Sequence, residues 1–261
     1  MIKFLADLRR PYSFKGKARL LHRLCSAEGE REAEIFGYRM NLDCSDYIQR
    51  SIYLGTFEPA ETLEVKSYLK EGMTFVDAGA NVGYYTLLAA SLVGKTGQVI
   101  AFEPSPYAFR RLEQTLEQNE LGQVRIECAG LSDQTGELQL FIPITSGNHT
   151  PTMVPNLGGD PFAVPIQRLD EYLEESRIDR VDLLKVDVEG FEPNVMRGAA
   201  GHIAKGRIRA VLCEFNQAWL SANASSVDAL YQLMIGYGYK STSGRPVPDL
   251  EVQNILFTFG A

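Results

Sequence analysis

Three charged side chains interrupt the apolar stretch Leu183–Pro193, which has the sequence LLKVDVEGFEP. Lys185, Asp187 and Glu189 stand at every second position. Because the side chains of a β-strand alternate between its two faces, the three charges share one face. Unpaired charges inside a sheet are very costly, so the pattern predicts that Lys185 pairs with a carboxylate and that the others face a cleft. A carboxylate in a cleft can orient a hydroxyl group and accept its proton, so Asp187 or Glu189 is a candidate proton acceptor.

A second set of residues is typical of a nucleoside site. Asp77 ends an apolar stretch and precedes the glycine turn Gly79–Gly83, and Glu103 ends the next apolar stretch, in the sequence AFEPSP. In an open α/β sheet, a carboxylate at the position of Glu103 can accept hydrogen bonds from both ribose hydroxyls. The dinucleotide fingerprint GxGxxG needs glycine where Asn81 and Tyr84 stand, which weakens an NAD interpretation.

Two further groups of residues leave alternatives open. In the sequence CAGLSDQTG, Ser132 and Asp133 stand where a side chain could meet an adenine amino group, and an ordinary polar turn is an equal interpretation. His149 lies in the loop sequence SGNHTPTM, which could fold over the cleft and bring a histidine base to it.

A metal site is the less favoured interpretation of the stretch that ends in CEFN. Glu214 and Asn216 share one face there, and with Asp187 they would offer Mg²⁺ a set of oxygen ligands. A metal of this kind can lower the pKa of a hydroxyl group that it binds. Oxygen ligands alone are weakly specific, so we favour a metal-free role in which Glu214 bonds a backbone or substrate group.

The elements that must position these residues follow from hydrophobic periodicity. From about residue 73, short apolar stretches alternate with amphipathic ones, which predicts a parallel sheet with helices on both faces. The predicted strands are Met73–Ala78, Gln98–Phe102, Val124–Ala129, Val181–Val188, Ile208–Phe215, Tyr239–Thr242 and Ile255–Phe259. The predicted helices are Val82–Val93, Pro106–Gln118, Pro193–Ile203 and Val227–Ile235.

Two segments lie outside this alternation. Gly136–Pro143 reads as an extra strand and is followed by the long loop Ser146–Pro161, which is rich in Gly, Pro and Asn. Residues 1–70 are predicted to form a mostly helical extension on the substrate side of a catalytic domain, residues 71–261. Within the extension, Tyr53, Phe57 and Glu58 could line an acceptor pocket, as could Trp219 of the domain, although packing is the more common use of such residues.

The composition limits the classes of partner. The chain has 261 residues and a formal net charge of -7, and an acidic balance argues against a nucleic-acid partner. The 4 cysteines form no CxxC pair, so neither a zinc site nor a disulfide framework is indicated, and a reducing, cytoplasmic location fits. No apolar stretch is long enough to span a bilayer. The basic first 23 residues are expected to cap the domain; contact with an anionic membrane surface or a transit peptide are the alternatives.

Taken together, the motifs resemble those of the FkbM family of S-adenosylmethionine-dependent methyltransferases. The resemblance covers roughly residues 45 to 216 and rests on YIQRSIYLGTFEP, FVDAGANVGYYT, AFEPSP, GLSD and above all LLKVDVEGFE. It implies a Rossmann-like class I α/β fold, with a mostly parallel seven-stranded sheet in the order 3-2-1-4-5-7-6. It also implies methyl transfer to a hydroxyl oxygen of a sugar, glycan, polyketide or similar small metabolite.

The resemblance assigns roles to the residues that carry it. Asp77 and the turn Gly79–Gly83, with Asn81 at its middle, would hold the methionine part of the donor, and Glu103 would hold the ribose. The pair Ser132 and Asp133 would meet the adenine, and Asp187 would lie nearest the transferred methyl. Two alternatives remain at this point: a non-catalytic S-adenosylmethionine-binding protein and, ranked lower, a nicotinamide oxidoreductase. The acceptor and the oligomeric state are not readable from the sequence.

Overall fold

A sheet of seven strands forms the centre of the protein. The computed structural model describes residues 28–141, 161–247 and 250–260. In chain order its strands are β1 (Glu30–Ile35), β2 (Tyr38–Asp43), β3 (Thr74–Ala78), β4 (Gln98–Phe102), β5 (Val124–Glu127), β6 (Gly130–Leu131), β7 (Gly136–Phe141), β8 (Pro161–Gln167), β9 (Leu183–Val186), β10 (Ala210–Asn216), β11 (Tyr239–Ser241) and β12 (Val252–Phe259). Its helices are α1 (Tyr47–Tyr53), α2 (Pro59–Tyr68), α3 (Tyr84–Val93), α4 (Pro106–Asn119), α5 (Leu169–Glu175), α6 (Glu192–Gly198), α7 (Ala200–Ala204), α8 (Gln217–Ala222) and α9 (Val227–Gly236).

The strand order confirms the predicted class I topology. Across the sheet the strands run β5-β4-β3-β9-β10-β12-β11, which becomes 3-2-1-4-5-7-6 when they are numbered along the chain. The pairs from β5 to β10 are parallel, and β12 is antiparallel to both of its neighbours. Strand β9 lies between β3 and β10 and is completely buried, which explains its near-continuous apolar sequence.

Some elements differ from the prediction. The helix expected at Pro193–Ile203 is two helices, α6 and α7, with a break at Ala199. Gly198, the last residue of α6, packs so closely that a Cβ there would lie 2.0 Å from the Ser132 carbonyl oxygen. Strand β8 and helix α5 were not predicted, because β8 follows directly on a Gly- and Pro-rich stretch whose composition is typical of a loop.

The part of residues 1–70 that the structure describes combines a β-hairpin with two helices. Strands β1 and β2 form the hairpin, which the helical prediction did not include. Arg111 of α4 makes two hydrogen bonds to the carboxylate of Glu30 on this hairpin. The apolar residues of the segment, among them Met40 and Ile52, pack in one cluster with Phe75 of β3 and Leu87 of α3. The segment is therefore built onto the sheet domain through a shared core.

A small second sheet follows β5. Its three strands have the order β6-β8-β7. Strand β7 is the predicted extra strand, which the structure places at Gly136–Phe141. Within the described residues, no helix has the length and apolar character needed to cross a membrane. The basic segment up to residue 23, the loop from 142 to 160 and its His149 lie outside the described residues, so the predictions made for them stay predictions.

Candidate active site

A cavity of about 200 Å³ lies at the carboxyl ends of β3, β4 and β9. This is the edge of an open parallel sheet at which ligands bind. Several predicted site residues line the cavity: Gly79, Asn81, Glu103, Lys185, Asp187 and Glu189. Other predicted residues are not among its lining: Asp77, Gly83, Ser132, Asp133, Glu214 and Asn216. Of the four possible acceptor-pocket residues, Phe57 and Glu58 line it, and Tyr53 and Trp219 do not.

The glycine turn brings the backbone of β3 against that of β9. Gly79 has a φ of 84°, and a Cβ at this position would lie 1.9 Å from the carbonyl oxygen of Asp187. The Gly79 and Ala80 amides both donate to the carbonyl oxygen of Phe102 on β4. Gly83 is needed for a different contact, because a Cβ there would lie 2.5 Å from a methyl carbon of Leu112 on α4. The two glycines therefore allow the turn to pack closely against β9 and α4 at the edge of the cavity.

Glu103 is held by backbone amides at the end of β4. Its Oε2 accepts a hydrogen bond from the Asn81 amide at 2.7 Å, and its Oε1 accepts one from the Ser105 amide at 2.8 Å. Burial raises the pKa of Glu103 to about 7, although these two amides oppose the rise. Each carboxylate oxygen keeps a free lone pair, so the group can still accept bonds from two ligand hydroxyls.

Asp77 lies beneath the turn, completely buried. One carboxylate oxygen accepts a bond from Thr86 Oγ1 at 2.7 Å, and the other has no hydrogen-bond partner among the described residues. Burial raises the pKa of Asp77, and Lys185, its neighbour on β9, opposes the rise. The predicted contact of Asp77 with the donor stays a prediction, because the structure places this side chain outside the cavity lining.

Lys185 joins the carboxylates of the cavity. Its Nζ lies 2.8 Å from Asp187 Oδ2 and 4.7 Å from the centre of the Tyr85 ring, and the side chain is only 3% exposed. Burial lowers the pKa of Lys185, but the charges of Asp187, Glu58 and Asp77 outweigh it and raise that pKa above its usual range. Lys185 is thus a permanent cation that orients Asp187, as the alternating sequence pattern predicted.

Glu189 lines the cavity beside Asp187 but has a different environment. Burial raises its pKa to about 8, and the charges of Asp187 and Glu192 add to the rise. The next residue, Gly190, has a φ of 96°, and a Cβ on it would lie 2.4 Å from the carbonyl oxygen of Trp219. At pH 7 the Glu189 carboxyl group therefore keeps its proton in most molecules.

Glu192 supports this turn and was missed by the sequence reasoning. It is 1% exposed, and its Oε1 accepts hydrogen bonds from the amides of Val188 and Gly190 at 3.0 and 3.1 Å. The carboxylate thus holds the loop between β9 and α6 in which Glu189 lies. A partial signal was available, because Glu192 stands two residues after the glycine of VEGFE at the start of a helix, where acidic residues are favoured.

The described residues next to β9 give no support to the alternative of a metal site. The side chain of Asn216 caps α8 by accepting bonds from the amides of Ala218 and Trp219. Burial and the charge of Asp187 raise the pKa of Glu214 to about 10, so this group is protonated at neutral pH. Across the described ranges there is no group of three His, Cys, Asp or Glu side chains arranged to hold a metal ion. Magnesium therefore has no support from the residues predicted to bind it.

Ser132 and Asp133 lie behind the cavity wall. The Ser132 hydroxyl bonds Asp133 Oδ1 at 3.2 Å, its amide donates to the Gln167 carbonyl on β8, and its side chain is buried. The wall itself is formed here by Gly130 and Leu131. The predicted contact of the two polar side chains with adenine stays a prediction.

The Tyr85 hydroxyl, also missed from sequence, reaches across the cavity to Glu58. It donates a hydrogen bond of 2.6 Å to Glu58 Oε2. Tyr85 is in the first turn of α3, directly after the glycine turn, and Glu58 is the residue before α2. The carboxylates around Lys185 therefore come from two separate parts of the chain.

Comparison with known proteins identifies the family of this chain. The model of the methyltransferase FkbM domain matches residues 77–241, a span that contains the glycine turn, Glu103, Lys185, Asp187 and Glu189. The chain belongs to the FkbM methyltransferase family. Among curated relatives, "Methyltransferase 1" of Beauveria bassiana is 32% identical over 142 residues, which are 47% of this chain and 57% of that protein.

Two other relatives of this FkbM protein carry informative names. "Methyltransferase sdnD" of Sordaria araneosa is 32% identical over 47% of this chain and 59% of its own length. "2-O-methyltransferase NoeI" of Sinorhizobium fredii is 24% identical over 59% of this chain and 70% of its own length. The matches thus span less than two thirds of the first two relatives, so their activities as whole proteins do not transfer directly to this chain.

Proposed function

We propose that this FkbM protein is an S-adenosylmethionine-dependent O-methyltransferase that acts on a hydroxyl group of a small molecule. The observation that carries the proposal is the charge of the cavity. Its charged lining residues, among those described, are the carboxyl groups of Glu58, Glu103, Asp187 and Glu189 and the single ammonium of Lys185. Even with Glu189 mostly protonated at pH 7, three other carboxyl groups against one ammonium favour a donor with a positive sulfur and oppose a dinucleotide with its phosphates.

The residues at the sheet edge fit such a donor. Glu103 retains lone pairs for two ribose hydroxyls, and the absence of a Cβ at Gly79 lets the end of β3 approach the Asp187 backbone closely. S-adenosylmethionine, when bound, supplies a methyl group attached to a positively charged sulfur. Asp187, held by Lys185, would face this charge at the end of β9 and stabilise it. Loss of the charge on methyl transfer weakens this attraction, which favours release of the product.

The acceptor must lose its proton as the methyl group arrives. An alcohol is a weak nucleophile, and a carboxylate within hydrogen-bond reach can orient it and receive its proton. The cavity provides such carboxylates, and positioning of the two substrates accounts for much of the expected acceleration. The name of the 2-O-methyltransferase relative supports oxygen as the atom that is methylated.

Binding and turnover of the donor test the proposal. Calorimetry should show that S-adenosylmethionine binds and that NADH does not. Incubation with a panel of alcohols and glycosides should release S-adenosylhomocysteine. Binding without release on any acceptor would instead support the non-catalytic alternative, and preferential binding of NADH would support an oxidoreductase.

The Asp187→Asn variant tests the residue placed nearest the methyl group. We expect turnover to fall about 100-fold, because a fixed charge in the water-poor site is lost, while the fold is retained. Unchanged turnover together with unchanged donor affinity would remove Asp187 from the mechanism. The surface variant Asp179→Asn, at a side chain that is 89% exposed, is the matched control and should behave like the wild type.

A further inference from the structure

The small sheet forms one apolar wall of the cavity. Leu138 and Leu140 of β7 and Val164 and Ile166 of β8 all line it. Leu138 pairs directly with Val164, and both strands alternate between these inward side chains and exposed neighbours. Leu131 of β6 extends the same surface. None of these five side chains has a group that can form a hydrogen bond.

The segment before the sheet domain forms a second wall. Ile48 and Ile52 of α1 and Phe57 line the cavity, and their side chains are likewise apolar. Glu58 is the exception. Among described lining residues from this segment and from the small sheet, it alone has a polar side chain. Any molecule held between the two walls therefore meets alkyl and aromatic surface and one carboxyl group.

Glu58 is held in place by contacts that a surface residue would not need. Its backbone has a φ of 36° and a ψ of 61°, a left-handed conformation that is unfavourable for glutamate and more so before Pro59. The side chain does not cap the following helix but accepts the hydrogen bond from Tyr85. The preceding Phe57 ring packs against Tyr84 at 5.0 Å between centres. Strain of this kind persists where surrounding contacts enforce it, often at ligand sites.

Glu58 is also prepared to receive a proton, because one of its oxygens is engaged by Tyr85 and the other is left for a ligand. Asp187 has one oxygen bound to the ammonium of Lys185, and Glu189 is mostly protonated at pH 7. Burial raises the pKa of Glu58, while the charge of Lys185 and the Tyr85 hydroxyl oppose the rise and stabilise its anion. The Glu58 carboxyl group therefore has an increased affinity for a proton, and its anion is stabilised by Lys185 and by the Tyr85 hydroxyl.

We propose that the acceptor is an alcohol on an apolar skeleton, bound between the two walls with its hydroxyl group donating a hydrogen bond to Glu58. The inference rests on the proposed methyltransferase function for the reaction itself. In the reaction the acceptor oxygen forms its bond to the methyl carbon as the carbon–sulfur bond of the donor breaks. The sulfur keeps the electron pair and becomes neutral, and the hydroxyl proton passes to Glu58.

A free sugar fits these walls poorly. Each of its hydroxyls gives up hydrogen bonds to water on entering the cavity, and the two walls return only those that Glu58 can make. The other polar groups of the lining, among them Asp187 and Tyr85, belong to the strand ends and to α3 rather than to these walls. An alcohol with one hydroxyl on an aliphatic or aromatic skeleton leaves no such group unpaired. The skeleton is therefore expected to be terpenoid, polyketide or aryl in character.

A binding experiment with three probes tests the acceptor class. The protein, saturated with S-adenosylhomocysteine, is titrated with 1-naphthylmethanol, with 1-methylnaphthalene and with methyl α-D-glucopyranoside. We expect the alcohol to bind about tenfold more tightly than the hydrocarbon, because it gains one hydrogen bond to a charged group. The glucoside should bind more weakly than either of them. The proposal would be overturned if the glucoside bound as tightly as 1-naphthylmethanol or more tightly. It would also be overturned if 1-naphthylmethanol did not bind.

The Glu58→Gly variant tests the residue. Glycine adopts the positive φ without strain, so the variant is expected to fold. It should lose the tenfold preference for 1-naphthylmethanol over 1-methylnaphthalene and keep its affinity for the hydrocarbon. The control Glu61→Ala, in helix α2 directly after Glu58 and outside the cavity lining, should keep the preference. A preference that survives in Glu58→Gly would refute the assignment.

The two proposals fail in different ways. If S-adenosylhomocysteine does not bind, the methyltransferase function is wrong, whereas the three-probe comparison on the free protein still tests the apolar cavity. If it binds and the aryl alcohol does not, only the acceptor class is wrong.

Discussion

The two ends of the cavity hold their carboxyl groups by different means. At one end, Glu103 accepts hydrogen bonds from the backbone amides of Ser105 and Asn81, and the nearby Glu192, which is not among the lining residues, accepts them from the amides of Val188 and Gly190. At the other end, Asp187 and Glu58 are bound by the side chains of Lys185 and Tyr85. Both ends combine a partner that is close in the chain with one from a separate segment, since Lys185 is two residues from Asp187 and Tyr85 is 27 residues from Glu58. The ends therefore differ in whether the backbone or a side chain supplies the donor.

Replacement of Lys185 should disrupt the side-chain end most. In Lys185→Met the buried carboxylates lose their cation, and we expect a loss of roughly 3–5 kcal/mol in the free energy of unfolding, the usual cost of breaking a buried ion pair. Urea unfolding measures the effect. The control Lys205→Met removes an exposed pair with Glu174 and should cost less than about 1 kcal/mol. A similar small loss for both would show that Lys185 does not hold the carboxylates together.

Replacement of Gly79 should disrupt the backbone end. The new Cβ of Gly79→Ala meets the Asp187 carbonyl oxygen and requires a positive φ, so we expect a loss of about 2–4 kcal/mol and no measurable donor binding. Gly122→Ala is the control, because no atom lies within 4 Å of its added Cβ. Calorimetry with S-adenosylhomocysteine and thermal unfolding check both. Retained donor binding in Gly79→Ala would separate the turn from the donor site.

The pH dependence of donor binding should depend on Glu103. Its pKa is about 7, so the anionic form that accepts from two ribose hydroxyls increases from pH 6 to pH 8. The apparent affinity for S-adenosylmethionine should rise about tenfold over this range, in proportion to the competent fraction. In Glu103→Gln we expect weaker binding with a flatter pH profile. An unchanged slope in this variant would assign the titration to another group.

The smallest expected effect is that of replacing Glu214 on the free energy of unfolding. Glu214 does not line the cavity and so belongs to neither of its ends. Its folded-state pKa of about 10 exceeds the usual value of 4.5, so the folded state binds the extra proton and stability decreases as pH rises between these values. The Glu214→Gln side chain has the size of the protonated glutamic acid and does not titrate, so the variant loses this pH dependence of stability. Relative to the wild type it should gain at least about 1 kcal/mol at pH 9 and less at pH 6. Thermal unfolding at the two pH values checks the difference.

The sequence reasoning succeeded where a residue acts through its own strand or turn. The pattern of β9 predicted that Lys185 pairs with a carboxylate, and the end of β4 predicted the position of Glu103. It failed where two distant segments meet. Glu58 and Tyr85 are 27 positions apart, and neither segment alone indicates that their side chains share a hydrogen bond.

The amino-acid sequence by itself determined a parallel α/β sheet and the chemistry of its edge, because hydrophobic period, glycine turns and charged strand ends are local properties. The strand order was predicted from the resemblance to the FkbM family, and the structure confirms it. Only the tertiary structure decided which carboxyl groups are paired, which keep their protons and which lie behind the wall. Burial and neighbouring charge set those states, and both depend on parts of the chain that come together only on folding. For the same reason the apolar walls on either side of Glu58 became visible only in three dimensions.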